Sequence, residues 1–162
     1  MRFAMSTGGV CDLKIHENEP SHFEAFVALN ERWIIECFEL EDPDVELRRN
    51  PEAVIEKGGY IFTVLDDETV VGTCALFRAG EHEFELARMA VDPGHQRKGI
   101  GKALAEHALE RAREQGAKRV FLLTNTVLQP ALDLYRALGF RVVEEGQHPE
   151  YSRCNVVMGK QL

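Results

Sequence analysis

The segment Gln96-Arg97-Lys98-Gly99-Ile100-Gly101-Lys102 packs three full positive charges and two glycines into seven residues. Where such a segment turns into a helix it can hold an anion. The free backbone N–H groups of a first helical turn converge on the ligand, and the helix dipole favours negative charge. The dipole alone contributes only about 0.3–1 kcal/mol at an exposed site. Close backbone approach at the glycines and the charges of Arg97, Lys98 and Lys102 must therefore add the rest. Two familiar phosphate loops are excluded. Gly94 and Gly99 have the Walker A spacing, but Ile100 stands where that motif needs a lysine. Gly99-Ile100-Gly101 runs on to Leu104 instead of a third glycine, so the dinucleotide fingerprint is missing as well. The plainer alternative is a glycine-capped helix start with solvated lysines.

Other chemistries leave no mark. Cys11, Cys37, Cys74 and Cys154 are far apart and lie among apolar neighbours, which predicts buried free thiols and no disulfide framework. The six histidines form no H-E-x-x-H pattern, so no metal site is expected. No G-x-S-x-G elbow suggests a serine hydrolase.

The elements that must position the loop follow from periodicity. Val10 to Ile15 reads as an edge strand, and Ser21 with Glu24 as a capping box opening a helix that carries Phe23, Phe26 and Val27. An acidic run from Glu36 to Glu46 follows. Asn50-Pro51 looks like the start of a short helix that stops at Gly58-Gly59. Tyr60–Leu65, Val70–Phe77 and Glu83–Val91 then form a meander. A helix from about Gly99 to Gln115 buries Ile100, Ala103, Leu104, Ala108 and Ala112. Val120 to Leu123 is continuously apolar and predicts a strand covered on both faces. Ala131, Leu134, Tyr135 and Leu138 mark a last helix, ahead of strands at Phe140–Val143 and Asn155–Met158.

Length and charge set the outer limits. The 162 residues predict one domain over residues 1–162, with 1–9 flexible and a ligand-binding core at about 60–140. Nineteen basic against 27 acidic side chains give a net charge of −8, which disfavours nucleic acid as a partner. No apolar run reaches the ~18 residues of a membrane span, and no signal-peptide core precedes Gly9. A cytoplasmic protein that binds neither membrane nor nucleic acid is the expectation, with a homodimer left open.

Gln96-x-x-Gly99-x-Gly101 resembles the acetyl-CoA pyrophosphate loop of the GNAT N-acetyltransferases. Met89-Ala90-Val91-Asp92-Pro93, Asn125, and Ala131 through Phe140 match that family too, so the resemblance is strong from about Tyr60 to Phe140. It implies an α/β fold: a mixed, mostly antiparallel twisted sheet of six to seven strands with helices on both faces, splayed to admit acetyl-CoA. The family also implies cofactor-binding roles. Met89, Ala90 and Val91 would pair with the pantetheine, Gln96 to Lys102 would hold the pyrophosphate, and Asn125 and Ala131 would border the arm. Tyr135 would direct its hydroxyl at the CoA sulfur.

The implied reaction is direct acetyl transfer to a primary amine of a small molecule or amino acid. Protein lysine or N-terminal acetylation and a non-catalytic acyl-CoA sensor remain alternatives. An amine is mostly ammonium at neutral pH, so a carboxylate base is needed. Glu85 is the candidate, with Glu83 as rival on the same strand face. A backbone N–H such as that of Met89 would serve the oxyanion, and Tyr135 the leaving thiolate. For the acceptor, the acidic run with Trp33 and Phe38 suggests a mouth for a cationic amine. Arg153 and Asn155 suggest instead a site for a carboxylate.

Overall fold

The structure, a computed structural model, describes residues 13–162 and the backbone of Arg2–Phe3. The expected flexibility of residues 1–9, the expected strand start at Val10 and the thiol of Cys11 otherwise lie outside the described residues. In chain order the strands are β1 (Arg2–Phe3), β2 (Leu13–Glu17), β3 (Tyr60–Asp66), β4 (Thr69–Gly80), β5 (Glu83–Val91), β6 (Arg119–Thr124), β7 (Arg141–Glu145) and β8 (Val156–Gln161). The helices are α1 (Phe23–Cys37), α2 (Asp42–Arg49), α3 (Ala53–Glu56), α4 (Ile100–Glu114) and α5 (Gln129–Ala137). Among the described residues all strands join one sheet in the order β1-β2-β3-β4-β5-β6-β8-β7, and only β5 and β6 are parallel. The count exceeds the expected six to seven because β1 adds a two-residue ladder to β2.

Strand periodicity divides the core between the two faces of the sheet. Phe62, Val64, Cys74 and Leu76 face α4 and pack with Ile100, Leu104 and Ala108. Ile61 and Ala75, one residue out of phase, face α1 and α3 and pack with Phe23, Phe26 and Val54. Each such aliphatic or aromatic side chain contributes about 1.5–3 kcal/mol when fully buried. The first turn of α4 crosses β4 at Gly72, where a Cβ would lie 2.6 Å from Ile100 Cγ2.

Several local expectations give way to tertiary structure. Ser21 Oγ reaches Glu19 (3.3 Å), not a helical N–H, and Pro20–His22 is a 3-10 turn ahead of α1. The capping box sits instead at Glu41 and Asp44. Asn50 ends α2 and does not start α3. In β6 only Val120, Leu122 and Thr124 are buried, because the other face borders an opening in the sheet. In α5 the deepest residues are Leu132 and Tyr135, with Ala131, Leu134 and Leu138 half-buried. Phe140 is buried just before β7, whose own five residues are exposed. Cys74 and Cys154 are buried free thiols as expected, whereas Cys37 is exposed. No helix among the described residues is long and apolar enough to cross a membrane.

Candidate active site

Strands β5 and β6 are hydrogen-bonded only at Glu83–Glu85 against Arg119–Phe121. Beyond that point β5 follows β4 and β6 follows β8, so the sheet opens as a V. From Leu86 to Val91 no strand among the described residues pairs with the β6-facing edge of β5. Asp92 donates its N–H to Val71 on the β4 side (2.8 Å). Val91, one residue earlier, therefore turns its own N–H and carbonyl to the open edge. There Gln96 reaches the Val91 carbonyl at 3.3 Å. Such an edge can pair with an extended ligand as with another strand.

The V holds a cavity of about 360 Å³. Leu86, Met89, Ala90 and Val91 form one wall, and Leu123, Thr124, Asn125, Leu128, Ala131 and Tyr135 the other. Trp33 and Phe38, in edge-to-face contact at 6.2 Å, close the α1 side together with Glu36 and Cys37. The Trp33 indole N–H is buried without a hydrogen-bond partner among the described residues.

The loop at the mouth is built for backbone donors. Arg97 and Gly99 both have left-handed backbone, at φ 63° and 83°. Gly99 is the N-cap of α4 and has no side chain to satisfy the first turn, so the N–H groups of Ile100, Gly101 and Lys102 face outward unclaimed by a cap. Below the loop, Asp92 accepts from the Gly94 N–H (3.0 Å) and meets His95 Nδ1 (2.9 Å). His95 Nε2 meets Asp66 at 2.8 Å. Hydrogen bonds to Asp92 and then Asp66 raise the imidazole pKa above its ordinary value, so the clamp below the loop favours the protonated ring. Lys102 lies near Glu106 (3.8 Å) on the exposed face of α4.

A second cavity of about 920 Å³ lies toward α2 and α3, lined by Glu46, Lys57, Phe77 and Glu150 among others. Glu85, Arg88 and Tyr151 border both cavities. The register of β4 on β5 slips between Thr73 and Ala75, and Arg88 in this bulge has φ 57°. Burial pushes the Glu85 carboxyl up to about 7; the Arg88 charge works against that rise and Glu150 adds to it. Burial also raises the Tyr135 phenol far above its ordinary value, with a smaller push from Cys74, so it keeps its proton at every physiological pH. Cys154, a further residue of the wall, is pushed up to about 11 by burial.

The remaining sequence-derived residues divide. Glu83 lies at the closed end of the V, ion-paired to Arg119, and does not border either cavity. Asn125 borders the cavity, but its amide donates to the Arg153 carbonyl (2.8 Å) and its oxygen accepts from the Val127 N–H (3.0 Å). Asn155 ties down Thr126 through its oxygen (3.0 Å) and its amide (3.2 Å), outside the cavity. Arg153 borders the cavity yet is taken up by Asp44 (2.6 and 2.8 Å) and Glu41 (3.2 Å), so it does not offer a free guanidinium to a carboxylate. Sequence reasoning missed Arg88, Asp44 and Tyr151 as site residues. Asp44 was hidden in an acidic run, and nothing in the local pattern of β5 signals the bulge at Arg88.

The model of the "Acetyltransferase (GNAT) family" matches residues 27–140. Human N-acetyltransferase 8 is 34% identical over 91 residues, covering 53% of this chain and 40% of that protein. Streptothricin acetyltransferase of Streptomyces lavendulae is 33% identical over 97 residues, covering 52% and 51%. The chain thus spans about half the length of the curated relatives it matches or less. A GNAT-family acetyltransferase from Staphylococcus aureus Mu50 superimposes with a TM-score of 0.83 over 93% of this chain and 99% of its own, at 23% identity. The PaiA N-acetyltransferase of Thermoplasma acidophilum, solved in complex with coenzyme A, superimposes at 0.71 over 93% and 99%, at 18% identity. Splayed strands, uncapped helix and matching family model agree: this chain belongs to the GNAT acetyltransferase family.

Proposed function

We propose that the protein is an N-acetyltransferase that moves an acetyl group from acetyl-CoA directly to a primary amine of a small molecule. The observation that carries this reading is the open edge of β5, flanked by the uncapped start of α4 and leading back to Glu85. The residues present suit the cosubstrate. Backbone N–H groups of Arg97 to Lys102 would hold its pyrophosphate, Met89 and Val91 its pantetheine, and the walls at Asn125, Leu128 and Ala131 would exclude water around it. The coenzyme A bound to the Thermoplasma structure of the same fold and the acceptor named for the streptothricin acetyltransferase support the same assignment.

Acetyl-CoA supplies a thioester whose carbonyl carbon bonds to the amine nitrogen as its carbon–sulfur bond breaks. The protein's own groups manage the protons. Glu85, with its carboxyl near 7, accepts a proton from the ammonium that arrives from the second cavity. A backbone N–H on the open edge of β5 donates to the carbonyl oxygen as charge develops there. Tyr135, held protonated by burial, gives its proton to the departing sulfur. Glu85 then releases its proton to bulk water, and the second proton that the nitrogen loses as the amide forms replaces the one given up by Tyr135.

The test is release of free CoA thiol when purified protein, acetyl-CoA and a broad panel of amines, amino acids and lysine peptides are combined. Turnover with a small amine is the expected result. Tight acetyl-CoA binding with no thiol release across the panel would leave only a sensor, and turnover with peptides alone would make the acceptor a protein.

A further inference from the structure

Arg88 and Arg153 reach the reaction end of the cleft from different elements and close on one carboxylate. Arg88 comes from the bulge of β5 and Arg153 from the segment before β8. Arg153 grips Asp44 with both terminal nitrogens, at 2.6 and 2.8 Å, in a bidentate fork. Arg88 binds the same carboxylate through one nitrogen and donates to the Tyr151 hydroxyl at 3.0 Å through another. The Tyr151 ring lies against both guanidiniums, 5.7 and 4.8 Å from their central carbons. The side chains are only 2% (Asp44), 7% (Arg88) and 9% (Arg153) exposed.

Asp44 is fixed from its own side as well. It is the third residue of α2, accepts the Glu41 N–H at 2.8 Å, and is the one buried residue of that eight-residue helix. Burial alone would raise its pKa, but hydrogen bonds from Arg153, the Glu41 backbone and Arg88 hold it below the ordinary carboxylate range. Glu41 occupies the outer side of Arg153 at 3.2 Å and is itself held by the Ser152 N–H at 2.8 Å. Two guanidiniums converging beside Glu85 have the geometry of a receptor for a carboxylate-bearing acceptor. That receptor is filled by the protein.

We propose that Asp44 is a specificity-determining residue, occupying with an internal carboxylate the two-arginine site that an acceptor's carboxylate would need, and so restricting the acceptor to amines without one. For its consequence in turnover this rests on the acyl-transfer reading above. An incoming carboxylate would have to displace Asp44 from its helix and from three partners at once, and would meet Glu41 beside it. An amine lacking a carboxylate has no such competitor.

The experiment compares amines that differ by one carboxylate, putrescine against L-ornithine and 2-phenylethylamine against L-phenylalanine. In the unmodified protein kcat/KM favours the carboxylate-free member of each pair. Asp44→Ala raises the ratio toward the amino acid by about tenfold or more, chiefly through a lower KM, as one charge-assisted bidentate contact becomes available. A preference for amino acids in the unmodified protein, or an unchanged ratio in a folded variant, overturns the proposal. A purely structural clamp would lower both members of each pair together. A second arm does not need turnover: thermal melting of Asp44→Ala in sodium acetate against sodium chloride at matched ionic strength. Acetate stabilises the variant, or restores its folding, and leaves the unmodified protein unaffected; equal melting in both salts overturns the proposal. If no amine is acetylated by the unmodified protein, the acyl-transfer reading fails and this second arm still decides whether the two arginines form a carboxylate site.

Discussion

Glu83 and Glu85 stand one pleat apart on the same face of β5, and the opening of the sheet falls between their fates. Glu83 closes an ion pair with Arg119 across the last parallel contact. Glu85 borders both cavities, where burial raises its carboxyl to about 7. A base that works near neutrality needs a pKa in that region, and the Glu85 carboxyl meets that need. Glu85→Gln is expected to lower kcat/KM about 10²-fold or more and to remove the limb that rises through pH 7 in the unmodified protein. A pH profile of thiol release checks both.

The same shift has a sign in stability. A carboxyl raised from 4.5 to about 7 on folding contributes stability that is fully present below the unfolded value and lost as pH rises through about 7. Glu85→Gln is therefore expected to be the more stable protein near pH 8, by up to about 3 kcal/mol, with the difference shrinking toward pH 4. Urea unfolding at the two pH values measures it. An equal gap at both would mean that the Glu85 carboxyl is not desolvated.

Tyr135 is buried in the wall of the cavity, in contact with Phe140 at 5.9 Å between ring centroids. Tyr135→Phe keeps that ring and removes only the proton donor. Turnover is expected to fall about 10²–10⁴-fold, with acetyl-CoA affinity nearly unchanged by calorimetry. Parallel losses of both would make Tyr135 a packing residue.

The sequence was most informative where backbone conformation demands a residue type. Gly99 and Gly101 behind Gln96 identify the loop because a left-handed N-cap without a Cβ leaves a chemical signature in residue type. Tyr135 was legible through helical spacing and family resemblance together. The acceptor side was not. Arg153 could be read as a carboxylate ligand because its partner Asp44 lies 109 residues away, and an acidic run says nothing about which member turns inward. Asn155 and Glu83 carry the right chemical groups, but Thr126 and Arg119 take them up. Long-range pairing of charges decides such sites, and no local periodicity encodes it. The capping box misplaced at Ser21 failed for a related reason: Pro20 starts a 3-10 turn there, and the reciprocal side-chain and backbone bonds form at Glu41 and Asp44.

Gly99 is required by conformation before it is required by a ligand. At φ 83° any side chain is strained, and a β-branched one most of all. Gly99→Val is expected to cost about 1–2 kcal/mol in thermal or urea unfolding and to abolish acetyl-CoA binding by calorimetry. Intact binding in a folded variant would move the pyrophosphate site away from this loop.

His95 gives the loop a dependence on pH that is independent of catalysis. Its two ring nitrogens face Asp92 and Asp66 at 2.9 and 2.8 Å, an arrangement that needs both nitrogens protonated. Hydrogen bonding to Asp92, then to Asp66, raises the imidazole, so the clamp is complete below 6.5 and is lost as pH rises through the higher folded value. Because Asp92 also caps the Gly94 N–H, release of His95 slackens the turn that leads into Arg97 and Gly99. Amide exchange at Gly94 to Gln96 is expected to accelerate above that midpoint, and acetyl-CoA affinity to weaken over the same range. Asp66→Asn removes one of the two partners and touches neither the cavity nor the open strand edge. It should pull the His95 midpoint, read from its ring resonances, back toward 6.5 and move the affinity transition with it. A midpoint that stays put would show that Asp66 does not hold the ring, and the pH dependence of binding would then have to come from the ligand's own phosphates.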